Sequence, residues 1–236
     1  MYIFVSFQEK EKYYSQEGPS RGNVKARLEE ASGERCLLVP YEEFDMSVVQ
    51  EFNPSAIAMS GFSEPGRAEG FKGVREVLLK AEIPMICFCG SHQLIDGCLT
   101  HNFGPSSGWK PEPMRKITKT EDFPRVAKGI PYDRSAYYVA AGFFPIKRVK
   151  DDPIFKGLPS PMIMKCSHYC EIKKMPEGFE LLATSGHCRI EMIRHKSRIL
   201  YGTQFHPEAY AEPFLHGKKL LGNFASIVKN FWKPGK

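Results

Sequence analysis

The stretch Pro84-Met85-Ile86-Cys87-Phe88-Cys89-Gly90-Ser91-His92-Gln93 limits the fold more than any other part of the chain. Met85, Ile86 and Phe88 read as the end of a short buried strand, bounded by Pro84 before and Gly90 after. From His92-Gln93-Leu94-Ile95 the pattern turns helical. Cys89 sits between the two and is followed at once by a glycine. A strand that turns sharply into a helix lifts one side chain above the end of a sheet. At that point the helix N-terminus favours a thiolate, and the next backbone N–H points toward a developing oxyanion. Cys89 is therefore the first candidate for chemistry.

The neighbouring segments place this turn in a larger pattern. Tyr2 to Phe7, Cys36 to Val39 and Ala56 to Met59 read as strands. Asn23 to Glu30, Met46 to Phe52 and Ala68 to Ala81 carry apolar residues at helical spacing. Strands alternating with helices imply an α/β fold, an open and mostly parallel twisted sheet with helices on both faces. Gln8 to Ser20 reads as a loop. Asn102 to Arg134, rich in proline, glycine and charge, reads as an inserted loop region that acts as partner surface, lid or decoration. Shorter strands follow at Ala136 to Ile146, Met162 to Met164 and Leu181 to Thr184. Ile190 to His195 and Arg198 to Thr203 form a pair across the turn Lys196-Ser197, giving a small antiparallel addition. Phe214 to Trp232 is expected to be a docked terminal helix. No repeat or linker divides the chain, so residues 1–236 are expected to form a single domain.

Charge and cysteine content narrow the function classes. The net charge of +6 is dispersed, and its densest run, Lys147, Arg148 and Lys150, lacks any RNA-binding signature, so no nucleic-acid partner is expected. No apolar run reaches the roughly 18 residues of a membrane span, and no membrane association is expected. Seven cysteines at irregular spacing, with no export signal, imply free thiols in a reducing compartment, the cytoplasm.

The second chemistry-bearing stretch is Tyr201-Gly202-Thr203-Gln204-Phe205-His206-Pro207-Glu208. Residues i and i+2 of an extended chain face the same way, and Pro207 biases His206 toward that conformation. A histidine oriented by a carboxylate is what a cysteine nucleophile needs for activation and proton transfer. Cys89, His206 and Glu208 thus make a plausible triad drawn from remote parts of the sequence.

Pro84 to Gln93 resembles the nucleophile motif of class I glutamine amidotransferases, and Gln204-Phe205-His206-Pro207-Glu208 resembles their histidine–glutamate motif. Phe52-Asn53-Pro54-Ser55, Ser60-Gly61, Ser167-His168 and Pro176-Glu177-Gly178-Phe179 add to the likeness. Together with Asp152-Pro153-Ile154-Phe155-Lys156-Gly157-Leu158, they are most similar to the glutaminase subunit or domain of GMP synthetase. The resemblance spans most of the chain apart from Gln8 to Ser20 and Asn102 to Arg134. It implies the flavodoxin-like amidotransferase fold and attack by Cys89 on the glutamine carboxamide, through a γ-glutamyl thioester. His206 would shuttle protons and Glu208 would orient it. The backbone N–H groups of Gly90 and Phe62 would hold the oxyanion. Gln93, Gly61, Ser167, His168 and Tyr169 would form or close the glutamine site. No cofactor is implied. No ATP-binding domain or phosphate loop is visible, so the ammonia acceptor would be handled by a separate ATP-dependent synthetase. Two other readings remain open, a stand-alone γ-glutamyl hydrolase and a catalytically weak regulatory or binding subunit.

Four positions depart from the family pattern. Cys87 and Ser91 stand where glycines usually flank the turn, Phe62 replaces a glycine of the oxyanion loop, and Cys170 replaces a common aspartate. Added side chains are expected to crowd the turn, and a neutral thiol at Cys170 to weaken binding of the substrate amino group. Cys87 and Cys89, with Cys98 and His92 nearby, lack the second spaced pair of a zinc site, so no metal is expected. Cys36, Cys166 and Cys188 read as small core residues.

Overall fold

The computed structural model describes all of the chain except residues 17, 19–21, 63–67, 105–108, 118–136 and 234–236, and the side chains of 68 and 69. In chain order the strands and helices are β1 (Tyr2–Ser6), α1 (Lys10–Tyr13), α2 (Gly22–Ser32), β2 (Cys36–Pro40), α3 (Met46–Phe52), β3 (Ala56–Met59) and α4 (Lys72–Lys80). They continue as β4 (Met85–Phe88), α5 (Gly90–Leu99), β5 (Glu112–Pro113), β6 (Ala140–Arg148), β7 (Met162–His168), β8 (Cys170–Glu171) and β9 (Phe179–Thr184). The last are β10 (Met192–His195), β11 (Leu200–Thr203) and α6 (His216–Phe231).

Among the described residues, nine strands form one sheet in the order β2-β1-β3-β4-β11-β10-β9-β6-β7. The first five are parallel, and the remainder join antiparallel. β5 and β8 form a separate antiparallel pair. Much of the region expected as an inserted loop lies outside the described residues, as does the start of the strand expected from Ala136. The described part of β6 runs to Arg148, past Ile146.

Strand alternation sorts the core into two layers. Ile86 and Phe88 of β4 pack with Val24 and Leu28 of α2 and with Leu220, Leu221, Phe224 and Val228 of α6. Met85 and Cys87, facing the other way, pack with Val74, Val77 and Leu78 of α4 and with Leu94 and Ile95 of α5. The period-2 pleat thus covers both faces of the parallel strands with helices. Residues expected to be loop between Gln8 and Ser20 include the short helix α1. Glu42 accepts the Lys10 backbone N–H at 2.8 Å, and Glu43 pairs with the Lys10 ammonium at 2.6 Å. Among the described residues, no helix is long and apolar enough to cross a membrane.

α6 closes the sheet beside the segment after β11. A Cβ at Gly217 would lie 2.2 Å from the Pro207 carbonyl oxygen, whereas one at Gly222, on the same helix, meets nothing within 4 Å. Gly-to-Ala normally favours a helix by about 1 kcal/mol, but forcing backbone apart costs about 1–3 kcal/mol. In urea denaturation Gly222→Ala is expected to raise stability by about 0.5–1 kcal/mol and Gly217→Ala to lower it by about 1–3 kcal/mol. Equal behaviour of the two variants would contradict the close helix approach.

Candidate active site

β4 and β11 are parallel neighbours with Phe88 paired to Thr203. The segments carrying Cys89 and His206 therefore leave the sheet side by side at its carboxyl edge, where α/β sheets place their ligands. The Cys89 N–H donates to the Thr203 carbonyl at 2.6 Å. Cys89 itself has φ 52° and ψ −106°, a conformation costing a side-chain-bearing residue about 1–3 kcal/mol. This is the sharp bend that the sequence indicated. α5 begins at Gly90, directly behind the cysteine.

The bend is tight because glycines stand at two contacts. A Cβ at Gly61 would come within 3.0 Å of the Cys89 Cβ and 3.1 Å of His206 Cε1, and one at Gly90 within 2.6 Å of the Phe62 backbone nitrogen. Phe62 occupies the room that Gly90 leaves. Its ring packs 5.1 Å from Phe7 and 5.7 Å from Phe71, centroid to centroid, in an aromatic cluster that continues through Tyr41 and Phe103. Among the described residues, the Phe62 and Gly90 N–H groups donate to no protein acceptor.

The expected crowding by Ser91 and Cys87 is absorbed. The Ser91 hydroxyl lies 2.9 Å from the Met59 carbonyl and 3.0 Å from that of Phe88, tying the ends of β3 and β4 together. Cys87 is fully buried, and burial pushes its thiol up to about 12. Cys98 is pushed to about 12 for the same reason. His92 is buried as well, and desolvation lowers it to about 3, so it is a neutral packing residue. Its ring explains Gly202, where a Cβ would lie 2.5 Å from His92 Nδ1.

His206 and Glu208 meet as a pair. The His206 Nδ1–H donates to Glu208 Oε1 at 2.6 Å. Burial by itself would lower the histidine, but the Glu208 carboxylate and the adjoining Cys89 sulfur outweigh it and hold His206 well above its ordinary value. The surrounding backbone is fixed from two sides. The Lys165 carbonyl accepts the His206 N–H at 2.7 Å, and Arg27 of α2 donates to the Glu208 carbonyl.

Cys89, His206, Glu208, Gly61, Phe62 and Ser167 share a cavity of about 230 Å³, smaller than the roughly 300–1,000 Å³ of drug-sized sites. Lys165 and Asn23 also line it. Gln93, His168 and Tyr169 are not on this wall. The Gln93 amide donates to the Cys170 carbonyl at 2.9 Å and to Gln204 Oε1 at 3.0 Å, and the Gln204 amide lies 3.7 Å from Cys89 Sγ. Gln93 therefore supports the residue that touches the sulfur. His168, the last residue of β7, is buried on the face away from the cavity, bonded through Nδ1 to the Cys170 carbonyl at 3.1 Å, and desolvation lowers it to about 4. The Tyr169 carbonyl accepts from the Met114 N–H at 2.8 Å, joining β8 to the segment after β5.

Lys165 had a readable signal, since residue 165 shares a strand face with Ser167. Asn23 had none, because it reaches the cavity from the start of α2. The group Cys87, Cys89, Cys98 and His92 assembles no ligand set. Among the described residues the one grouping of metal-capable side chains is Cys166, His168, His187 and Glu191. In the sequence Cys166 reads as a small core residue and His168 as part of the glutamine site, and nothing there singles out His187 or Glu191.

Comparison with known proteins adds a second line of observation. Residues 21–227 match the family model for class-I glutamine amidotransferases. A glutamine-hydrolyzing GMP synthase subunit from Archaeoglobus fulgidus is 45% identical over 36% of this chain and 45% of its own length. The subunit of the same name from Methanocaldococcus jannaschii is 31% identical over 67% of this chain and 68% of its own. The GMP synthase of Thermosipho africanus is 32% identical over 80% of this chain but only 30% of its own length. A crystal structure of a candidate GMP synthase subunit from Thermoplasma acidophilum is 21% identical. It covers 98% of this chain and 95% of that one, with a TM-score of 0.67, and shares the fold.

The raised His206 makes a pH prediction. Its favourable contribution is fully present below the unfolded histidine value of about 6.5 and is lost as pH rises through the higher folded value. Urea midpoints of the native chain are therefore expected to fall above about pH 6.5 more steeply than those of Glu208→Gln, which lacks the carboxylate. Parallel profiles would remove the His206–Glu208 coupling.

Proposed function

From the premise that the chain belongs to the class-I glutamine amidotransferase family, in the branch of the glutamine-hydrolyzing GMP synthase subunits, we propose that it hydrolyses the glutamine side-chain amide at Cys89. The observation that carries this reading is the convergence of the Cys89 sulfur, the His206 ring and the Glu208 carboxylate on one cavity. Glutamine enters with its carboxamide over Cys89. The thiolate adds to the amide carbon, and the carbonyl oxygen becomes an oxyanion. The N–H groups of Gly90 and Phe62 hold that oxygen, and one such donor is worth about 3 kcal/mol to the transition state. His206 delivers a proton to the leaving nitrogen, so ammonia departs and a γ-glutamyl thioester remains. His206 then takes a proton from water, whose oxygen attacks the thioester, and returns that proton to the departing Cys89 sulfur as glutamate leaves. Glu208 keeps the imidazole in position through both halves of the cycle.

Lys165 supplies a cation for the substrate α-carboxylate, and Ser167 and Asn23 supply polar contacts at the same end. Gly61 keeps that approach open. Phe62, fixed among aromatic rings, gives a preset donor at the cost of a loop less free to reorient. Relatives named as one subunit of GMP synthase support a separate synthetase chain as the partner that consumes the ammonia, and we assign to that partner the ATP-dependent activation of the acceptor. The proposed setting is the cytoplasm, where the thiols stay reduced.

Ammonia release from glutamine, with and without an added synthetase chain, tests the reading. Cys89→Ala is expected to abolish turnover by about four orders of magnitude or more, with Glu208→Gln losing less. Absence of any Cys89-dependent turnover in the presence of the partner would overturn it. Faster cleavage of γ-glutamyl amides than of glutamine would shift the substrate to that class.

A further inference from the structure

Behind the cavity wall lies a second cluster that the proposed reaction does not use. β7 alternates, so Ser167 and Lys165 line the cavity while Cys166 and His168 are buried on the opposite face of the strand. There they meet His187, from the turn between β9 and β10, and Glu191, which immediately precedes β10. One ligand atom from each of the four lies within 4.8 Å of all the others.

The polar atoms of this cluster are unsatisfied. Glu191 is 0% exposed and His168 is 3% exposed. Both Glu191 carboxylate oxygens, His168 Nε2 and His187 Nε2 lack any hydrogen-bond partner. His187 Nε2 does lie 3.2 Å from Glu191 Oε1, but the pair lacks hydrogen-bond geometry. A fully buried carboxylate without hydrogen bonds is costly unless it is paired or coordinates a metal. His168 is also oriented as a ligand. Its Nδ1 is tied to the Cys170 carbonyl at 3.1 Å, which turns Nε2 into the cluster, the outer-shell arrangement that fixes a ligating imidazole. The rings of Tyr138 and Phe144, 5.8 and 4.7 Å from His187, flank the group.

We propose that Cys166, His168, His187 and Glu191 form a closed four-ligand site for a divalent transition metal, zinc above all. The donor set is one sulfur, two imidazole nitrogens and one carboxylate oxygen, which suits zinc, and four protein ligands leave no open position, as in structural sites. Bond lengths of about 2.0–2.3 Å imply ligand separations of about 3.3–3.8 Å in a tetrahedron, so the cluster contracts by roughly 1 Å around the ion. Binding forms a metal–sulfur bond and releases the Cys166 thiol proton to water. Thiolate and carboxylate then balance the two positive charges, and a neutral assembly replaces a buried carboxylate whose oxygens accept no hydrogen bond and whose nearest cationic candidate is His187. The site joins β7 to the β9–β10 turn, and through β7 it sets the position of Ser167 and Lys165.

The test uses the reduced full chain, grown with zinc and dialysed against metal-free buffer. Elemental analysis is expected to give close to one zinc per chain, retained in Cys89→Ala and largely lost in Cys166→Ser and His187→Ala. Cobalt substituted for zinc is expected to show a thiolate-to-cobalt charge-transfer band that Cys166→Ser removes. Glu191→Gln, which keeps the shape but not the charge, should weaken cobalt affinity by at least about tenfold. A folded wild-type chain that retains no zinc, or a cobalt band that survives Cys166→Ser, overturns the site. If Cys166→Ser does not fold, wild-type stoichiometry and the cobalt band still decide. Ammonia release plays no part in these readouts, so the site and the proposed reaction fail separately.

Discussion

The parallel pairing of β4 with β11 is the constraint on which the site depends. Its register sets Phe88 beside Thr203, and the Cys89 N–H seals the end of the ladder on the Thr203 carbonyl. Two segments far apart in sequence thereby leave the sheet at one level and in one direction. A one-residue slip would turn each strand over, because side chains alternate with a period of two. The slip is opposed by burial on both faces. Ile86 and Phe88 fill one layer and Met85 and Cys87 the other, so a slip would put each set into the close-packed space shaped for the other.

Around that pairing, side chains and glycines divide the space between them. The Ser91 hydroxyl is held by two carbonyls. The Phe62 ring is fixed among Phe7 and Phe71. Gly61, Gly90, Gly202 and Gly217 stand where a methyl group would meet a neighbour at 3.0 Å or less. The turn at Cys89 is strained in isolation, and these contacts over-determine it.

Much of this was legible in the chain. The parallel strands announced themselves as short apolar runs, and β4, followed by a glycine and a helical segment, marked the bend. His206 and Glu208 were readable because an extended i, i+2 pair has a definite geometry. The less legible features depend on distant partners. α1 is held by Glu42 and Glu43 across a loop, which no local propensity encodes. β7 extends to His168, past the expected Met164, because pairing with β6 overrides a run of polar residues. Gln93 looked like a cavity residue but donates to Cys170 and Gln204 behind the wall. The Cys166 cluster draws two ligands from a strand and two from a turn. Its spacing matches no familiar run of ligands, and only the antiparallel part of the sheet brings the four together.

β7 has a consequence that follows from its pleat alone. Ser167 lies within 3.8 Å of the Cys89 sulfur through its carbonyl, while Cys166, its immediate neighbour, is wholly buried on the other side. One strand thus acts as a partition between two thiols of opposite character, one facing the cavity and one facing the protein interior. Reagents, oxidants and substrates that reach the first are screened from the second by a single thickness of backbone.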